Sequence, residues 1–430
     1  MKKLNRLILF FVIVALLLSM AGCSGDVTYI IKTLRKDTTE LAAAASADIL
    51  SSVMTAVSVP VVTPDAEPIN ADFPANQNGV AANFCYNNIL NSKEKKLYAI
   101  LYKNFNEFKT EISVSDYNLS FSSEDEIESA VDNAICAVLY DHPEIFWYKT
   151  QCSYTYLSGY NLECLNVFPI YTQKEANIMK TKVETAAENV VADTESMNQY
   201  EISKYIYTYI IQNTEYGYGT NEENAYTLAG VFADGKAVCE GYAKAYIYLM
   251  NKCGLSAVFI RGVASDSYGS GSHAWNIAEI NGNWYQVDCT WGDPIMNTAN
   301  SEERKMNVNY AYLHVTDKDL SLTHSVDDFY ASAKPACTAT DDNYYVKEAL
   351  YFEKFDESVL SEKLKLKLHE INKEKGAKID MKFESYDEMQ KAENWIKSNF
   401  LNLTYSLENR VRSYAYSSTQ IGTIELSLYY

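Results

Sequence analysis

Apolar residues recur every three or four positions from Ser92 onward. Leu97, Ile100, Leu101, Phe105 and Phe108 fall on one face, and Ile127, Val131, Ile135 and Val138 repeat the spacing between Ser123 and Tyr140. That period predicts two amphipathic helices. Between Ile145 and Tyr171 aromatic and β-branched residues surround Ser158-Gly159, which predicts a hairpin, so 80–172 reads as a small α/β domain. Helices are predicted again over Lys174 to Val191 and Ser196 to Gln212, the second with Tyr205, Ile206, Tyr209 and Ile210 on one side. Ser256 to Ala264 reads as a strand and Ser265 to Gly271 as a mobile loop of small residues. Ser272 to Ile280 and Trp284 to Trp291 then read as two strands joined around Asn281-Gly282, a strong hairpin signal. Beyond Pro335 come strand-like Tyr344 to Phe352, helix-like Ser358 to Lys373, strand-like Ala377 to Phe383, helix-like Tyr386 to Phe400 and an alternating Thr423 to Leu428. That order predicts a small α+β accessory domain over 335–430.

The N-terminus has a different grammar. Met1 to Arg6 is basic and Leu7 to Leu18 is unbroken apolar, the layout of a secretory signal. The run is too short to span a bilayer comfortably. It leads into Met20-Ala21-Gly22-Cys23, which resembles a bacterial lipobox, with Met20 standing where such boxes favour Leu. The expectation is a lipoprotein signal peptide over 1–22, a lipidated Cys23, and an extracytoplasmic protein held to the cell membrane by that lipid. Residues 23–79, Ala-rich and then carrying Pro60, Pro64, Pro68 and Pro74, read as a tether.

Composition narrows the chemistry. A formal charge of −19 lacks the clustered cations that phosphate binding requires, which argues against nucleic acid. The 35 tyrosines are spread over every segment and read as packing residues. Nine cysteines show neither zinc-site nor CxxC spacing, so neither a metal nor a cofactor is expected. Export would permit disulfides among Cys85, Cys136, Cys152, Cys164, Cys253, Cys289 and Cys337, and spacing does not assign partners.

Candidate chemistry centres on Gly235-Lys236-Ala237-Val238-Cys239-Glu240-Gly241-Tyr242-Ala243, which opens a helix that stops at Cys253-Gly254. A cysteine at a helix start sits among free N–H groups and at the positive end of the dipole, which favours a thiolate. Its own N–H points where an oxyanion could form. If Asn281-Gly282 is a two-residue loop, Ile280 faces Asn283, His273 falls opposite Thr290, and Asp288 is its diagonal neighbour on the same sheet face. A carboxylate beside an imidazole fixes its tautomer and leaves the second nitrogen for the thiol. Glu240 is expected to pair with Lys244 one turn on, while His314 and His324 read as structural or surface residues.

The stretch from about Tyr200 to His324 resembles the bacterial transglutaminase-like superfamily. The likeness rests on Ala237-Val238-Cys239-Glu240-Gly241-Tyr242-Ala243, Ser272-His273-Ala274-Trp275-Asn276 and Trp284-Tyr285-Gln286-Val287-Asp288-Cys289-Thr290-Trp291. It implies an α+β, papain-like core over 173–330, flanked by the small domains, with Cys239, His273 and Asp288 as a Cys-His-Asp triad. Trp275 and Trp291 are candidate walls of a substrate groove. The expected function is thiol-dependent acyl transfer or hydrolysis of amide bonds on a peptide, protein or cell-wall peptide. Because the Ala264 to Gly271 loop reads as hydrated, hydrolysis is favoured over cross-linking. The alternative is a catalytically silent scaffold of the same fold at the cell surface.

Overall fold

The computed structural model describes residues 32–33, 83–217, 222–266, 269–293, 308–371, 377–405 and 411–430. The expected signal peptide, Cys23 and nearly all of the tether lie outside them. Among the described residues no helix is long and apolar enough to cross a membrane.

The chain divides into two compact units. The first takes in Lys109–Asp132 and Thr150–Phe168 together with the N-terminal residues, and carries a four-stranded sheet in the order β1-β3-β4-β2. Its strands are β1 (Lys32–Thr33), β2 (Glu111–Ser113), β3 (Tyr148–Leu157) and β4 (Asn161–Pro169). The hairpin expected at Ser158-Gly159 joins β3 to β4, with Gly159 and Tyr160 both at positive φ.

The second unit holds the candidate chemistry. It contains α1 (Ser92–Asn106), the second half of α2 (Glu124–Asp141), α3 (Gln173–Asp193) and α4 (Gln199–Asn213). Three of these start on capping boxes: Asn91 with Glu94, Thr172 with Glu175, and Asn198 with Glu201. In each, side chain and backbone satisfy one another's orphan groups, which fixes the first turn. The short strands β5 (Glu215–Tyr216) and β6 (Lys236–Ala237) pair in parallel and deliver the chain to α5 (Cys239–Lys252). Helix α5 packs against β7 (Ala257–Asp266) and β8 (Gly269–Ile280), two strands of a five-stranded sheet. The others are β9 (Asn283–Val287), β10 (Leu313–Val315) and β11 (His324–Val326), in the order β10-β9-β8-β7-β11.

Beyond the sheet follow β12 (Tyr351–Phe352), α6 (Glu357–Glu370), β13 (Lys378–Phe383), α7 (Tyr386–Thr404), β14 (Ser413–Ser418) and β15 (Thr423–Tyr429). Leu360, Leu364 and Leu368 of α6 and Met389, Ile396 and Phe400 of α7 meet Ile379, Met381, Phe383, Ile424, Leu426 and Leu428 in one apolar core. Helical spacing on one side and strand alternation on the other make that core, as expected.

Three local expectations give way. Tyr344 to Phe352 is not one strand: Tyr344–Lys347 is a helical turn and only Tyr351–Phe352 pairs. The Asn343 side chain accepts the Tyr345 N–H, and this cap overrides the strand preference of Tyr-Tyr-Val. Ser265, Asp266 and Gly269 to Gly271 are strand rather than loop, because the β7–β8 ladder continues through Ala264↔Gly271 and Ser265↔Ser270 to Asp266↔Gly269. Finally, β9 ends at Val287, so Asp288 to Trp291 form a turn rather than strand. Each of the eight cysteines among the described residues is a free thiol.

Candidate active site

Local sequence explains why α5 starts where it does. Gly235 at φ +63° ends the preceding helical turn, and the extended Val238 precedes Cys239 without a side-chain cap. The first N–H groups of α5 are therefore not taken up by an N-cap side chain, and Cys239 is the first residue of that turn. Gly241 is required by close approach: a Cβ there would lie 2.5 Å from the Ala225 carbonyl oxygen. Tyr242 anchors the same turn, its hydroxyl 2.7 Å from Asp293 Oδ2 and 3.1 Å from the Thr214 carbonyl. Glu240 pairs with Lys244 at 2.7 Å, the expected one-turn ion pair, and away from the chemistry.

The Asn281-Gly282 turn sets the register as read from sequence, with Ile280↔Asn283 followed without slippage to Asn276↔Val287. His273 stands three residues beyond the end of that ladder, and Gly262 of β7 pairs with it from the other side. Asp288 reaches it from the turn, its Oδ2 2.7 Å from His273 Nε2. The turn fixes Asp288 through its other oxygen: Oδ1 accepts the N–H groups of Thr290 at 2.8 Å and Trp291 at 3.0 Å. Its own N–H donates to the Tyr312 carbonyl.

With Nε2 committed to Asp288, the other ring nitrogen is left for a thiol, and Cys239 is near enough to the imidazole to favour its charged form. Burial alone would push His273 toward the neutral form. The Asp288 carboxylate, aided by the Cys239 sulfur, outweighs that and lifts it to about 10. Asp288 is the mirror case: burial would raise its carboxyl, but the imidazoles beside it hold it well below the usual carboxylate range. The structure thus brings Cys239, His273 and Asp288 together in a mostly buried set, with His273 and Asp288 held in their charged forms.

Sequence reading missed one participant. His324 on β11 is buried, and its Nε2 lies 3.0 Å from the same Asp288 Oδ2, while its Nδ1 meets Thr323 Oγ1 at 2.8 Å. Nothing local marks it, because β11 is three residues long and joins the sheet only through β7. His314 has the structural role expected of it. Its Nδ1 donates to the Asp342 carbonyl, its Nε2 is 2.6 Å from Ser203 Oγ, and full burial lowers it to about 4, keeping the ring neutral.

His273, Asp288 and His324 are also the side chains among the described residues with the types and spacing for a metal, their ligand atoms within 4.8 Å of one another. Both Nε2 atoms converge on one carboxylate oxygen, so a metal would have to displace two charge-assisted hydrogen bonds.

The two tryptophans part company. Trp275 is 1% exposed and donates to Gln286 Oε1 at 2.8 Å, which makes it core. Trp291 is half-buried, with its ring centroid 4.6 Å from that of His324 and 6.2 Å from that of His273. It lines a cleft of about 440 Å³ together with His273, Thr290, Tyr312 and Asp266. Volumes of this order suit small-molecule or peptide groups.

Comparison with known proteins meets this geometry over part of the chain. The kyphoscoliosis peptidase of Mus musculus is 24% identical over 146 residues, covering 31% of this chain and 22% of that protein. Its counterpart in Homo sapiens is 25% identical over 119 residues, covering 25% of this chain and 18% of that protein. The match therefore spans about a fifth of the length of these curated relatives. A solved structure described as a TGase overlaps 35% of this chain and 47% of its own, with 17% identity and a TM-score of 0.24. Residues 185–289 fit the family model of the transglutaminase-like superfamily, and that stretch holds Cys239, His273 and Asp288 but not His324. It is over this mixed helix-and-sheet segment, ending one residue past Asp288, that the chain matches the transglutaminase-like superfamily.

Proposed function

We propose that the chain is a thiol-dependent hydrolase or acyltransferase acting on amide bonds, with Cys239 as nucleophile, His273 as acid and base, and Asp288 orienting His273. The observation that carries this is the buried His273 ring, with Asp288 Oδ2 2.7 Å from one nitrogen and Cys239 near enough to favour the charged imidazole. In the first half-reaction the Cys239 sulfur attacks the amide carbonyl, forming a C–S bond and an oxyanion. The N–H groups at the start of α5 are placed to receive that oxyanion. Collapse breaks the C–N bond, and the amine leaves with the His273 proton. In the second, water or another amine loses a proton to His273, attacks the thioester and releases the thiol.

Ala264 to Asp266 and Gly269 to Gly271, read from sequence as part of a mobile loop that favoured hydrolysis, are instead paired in β7 and β8. What supports hydrolysis instead is the lining beside His273, where Thr290, Tyr312, Thr323 and Asp266 bring polar groups that can accommodate water. The peptidase name of the curated relatives points the same way. Incubation with a glutamine-containing protein and a labelled primary amine separates the outcomes. Cys239-dependent release of free acid exceeding amine incorporation is expected; the reverse order makes the protein a cross-linker. If neither product forms from protein, peptide or cell-wall fragments, the silent-scaffold reading takes its place.

The proposed location is extracytoplasmic, with lipid on Cys23, from the ordered basic, apolar and Gly22-Cys23 signals. Mass spectrometry of the N-terminus of exported protein should find Cys23 first and acylated. An unmodified Cys23 there removes the anchor.

A further inference from the structure

The cleft beside His273 is not closed by the matched domain alone. One side of its lining comes from Ser418, Thr419 and Gln420, at the tip of the β14–β15 hairpin. These residues follow Cys239 by most of two hundred positions and belong to the α+β region that begins beyond Pro335.

Two features hold that tip in place. Within the turn, the Gly422 N–H donates to the Thr419 carbonyl at 3.1 Å, and the Thr419 and Thr423 hydroxyls lie 2.6 Å apart. Gly422 takes φ +83°, and a Cβ on it would come within 2.7 Å of the Phe383 carbonyl oxygen, so the turn sits directly on β13. The second feature is Lys382 of β13, 1% exposed, which donates to the Ile421 carbonyl at 2.6 Å and pairs with Asp319 at 3.2 Å. Asp319 lies on the helical turn Asp317–Leu320, whose Leu320 carbonyl accepts the Thr323 N–H next to His324. One buried ammonium thus ties the hairpin tip to the segment that delivers His324 to Asp288. Burying a lysine is costly without partners, and here both partners belong to the two pieces being joined.

We infer that the Ser418–Gln420 tip is a specificity wall of the cleft that His273 lines, positioned by Lys382, and that it limits the size of the acyl chain that can approach the thiol past His273. The inference rests on the proposed reaction of Cys239 with His273, and it names how that reaction chooses its substrate. Gln420 is exposed at the tip, so its side chain sets the gap without carrying the fold.

The test uses two alkylating probes on the full chain, iodoacetamide and the bulky 5-iodoacetamidofluorescein. Labelling is read on the tryptic peptide 237–244, so that other thiols do not enter. In the Gln420→Trp variant the bulky-to-small rate ratio should fall by about tenfold or more, while the iodoacetamide rate stays within about twofold. Gln420→Gly and Lys382→Met should raise the ratio, the second by loosening the tip. An unchanged ratio in both Gln420 variants, with iodoacetamide still reacting, overturns the wall and leaves the nucleophile standing. If Cys239 is inert to iodoacetamide in the unaltered protein, the nucleophile assignment fails and the wall fails with it.

Discussion

Asp288→Asn is expected to lower turnover by about ten-thousandfold, the scale seen when an imidazole loses its orienting carboxylate. It should also slow Cys239 alkylation near pH 6.5 by about tenfold or more, since the thiolate loses its cationic neighbour. The cause is electrostatic. Burial opposes a charged His273, and the carboxylate that lifts the ring to about 10 is the one removed. The same change exposes a pH signature. A histidine raised in the folded state adds stability that is complete below its unfolded value of about 6.5 and is lost as pH rises toward 10. Wild type should therefore lose stability over that window, and the variant should lose less. Breaking a buried pair of this kind costs about 3 to 5 kcal/mol, and the fall should be at the upper end because two imidazoles share Asp288. A folded variant whose alkylation profile between pH 6 and 9 superimposes on wild type would falsify the role given to Asp288.

Gly292→Ala should be as damaging to the fold as Asp288→Asn is to the chemistry. A Cβ at Gly292 would lie 1.8 Å from the Tyr207 hydroxyl oxygen and 2.4 Å from its Cζ. Tyr207 cannot retreat freely: it is fully buried on α4, and its hydroxyl donates to the Asn309 carbonyl at 2.7 Å. Gly292 cannot either, because its N–H closes the turn onto the Asp288 carbonyl and its own carbonyl accepts from Asn309. Overpacking at a doubly held contact should cost about 3 kcal/mol, read as a lower urea midpoint. Adding Tyr207→Phe removes the nearest atom and should recover part of the loss. A midpoint equal to wild type for the single change would show that the turn has room to give.

Much of the site was legible because it depends on local rules. Cys239 announced itself through an apolar helical period that begins one residue after an extended Val238. The relation of His273 to Asp288 came from Asn281-Gly282, whose two-residue turn fixes the register of everything beyond it. That pairing stops at Asn276↔Val287, and the carboxylate arrives from an Asp-led turn, so the right neighbours were found by a ladder that ends before reaching them. His324 was not legible. Its position is decided by pairing with Ala264, 60 positions earlier in the chain, and no periodicity encodes so distant a partner. Ser265, Asp266 and Gly269 to Gly271 misled for the opposite reason: small residues resemble a loop, yet the backbone bonds of a long hairpin hold them. Tyr344 to Phe352 misled because aromatic content outweighed a single capping asparagine in the reading, and the reverse holds in the fold.

Lys382 has a consequence for how the protein is made. A chain emerges from the ribosome N-terminus first, so Cys239, His273 and Asp288 are synthesised well before Lys382 and the hairpin tip that bounds their cleft. During that interval the thiol can already be seated on its helix while nothing delimits what reaches it. Lys382 can meet the Ile421 carbonyl and Asp319 only once all three have been made, so on the proposed role of the tip, selectivity follows the nucleophile in synthesis.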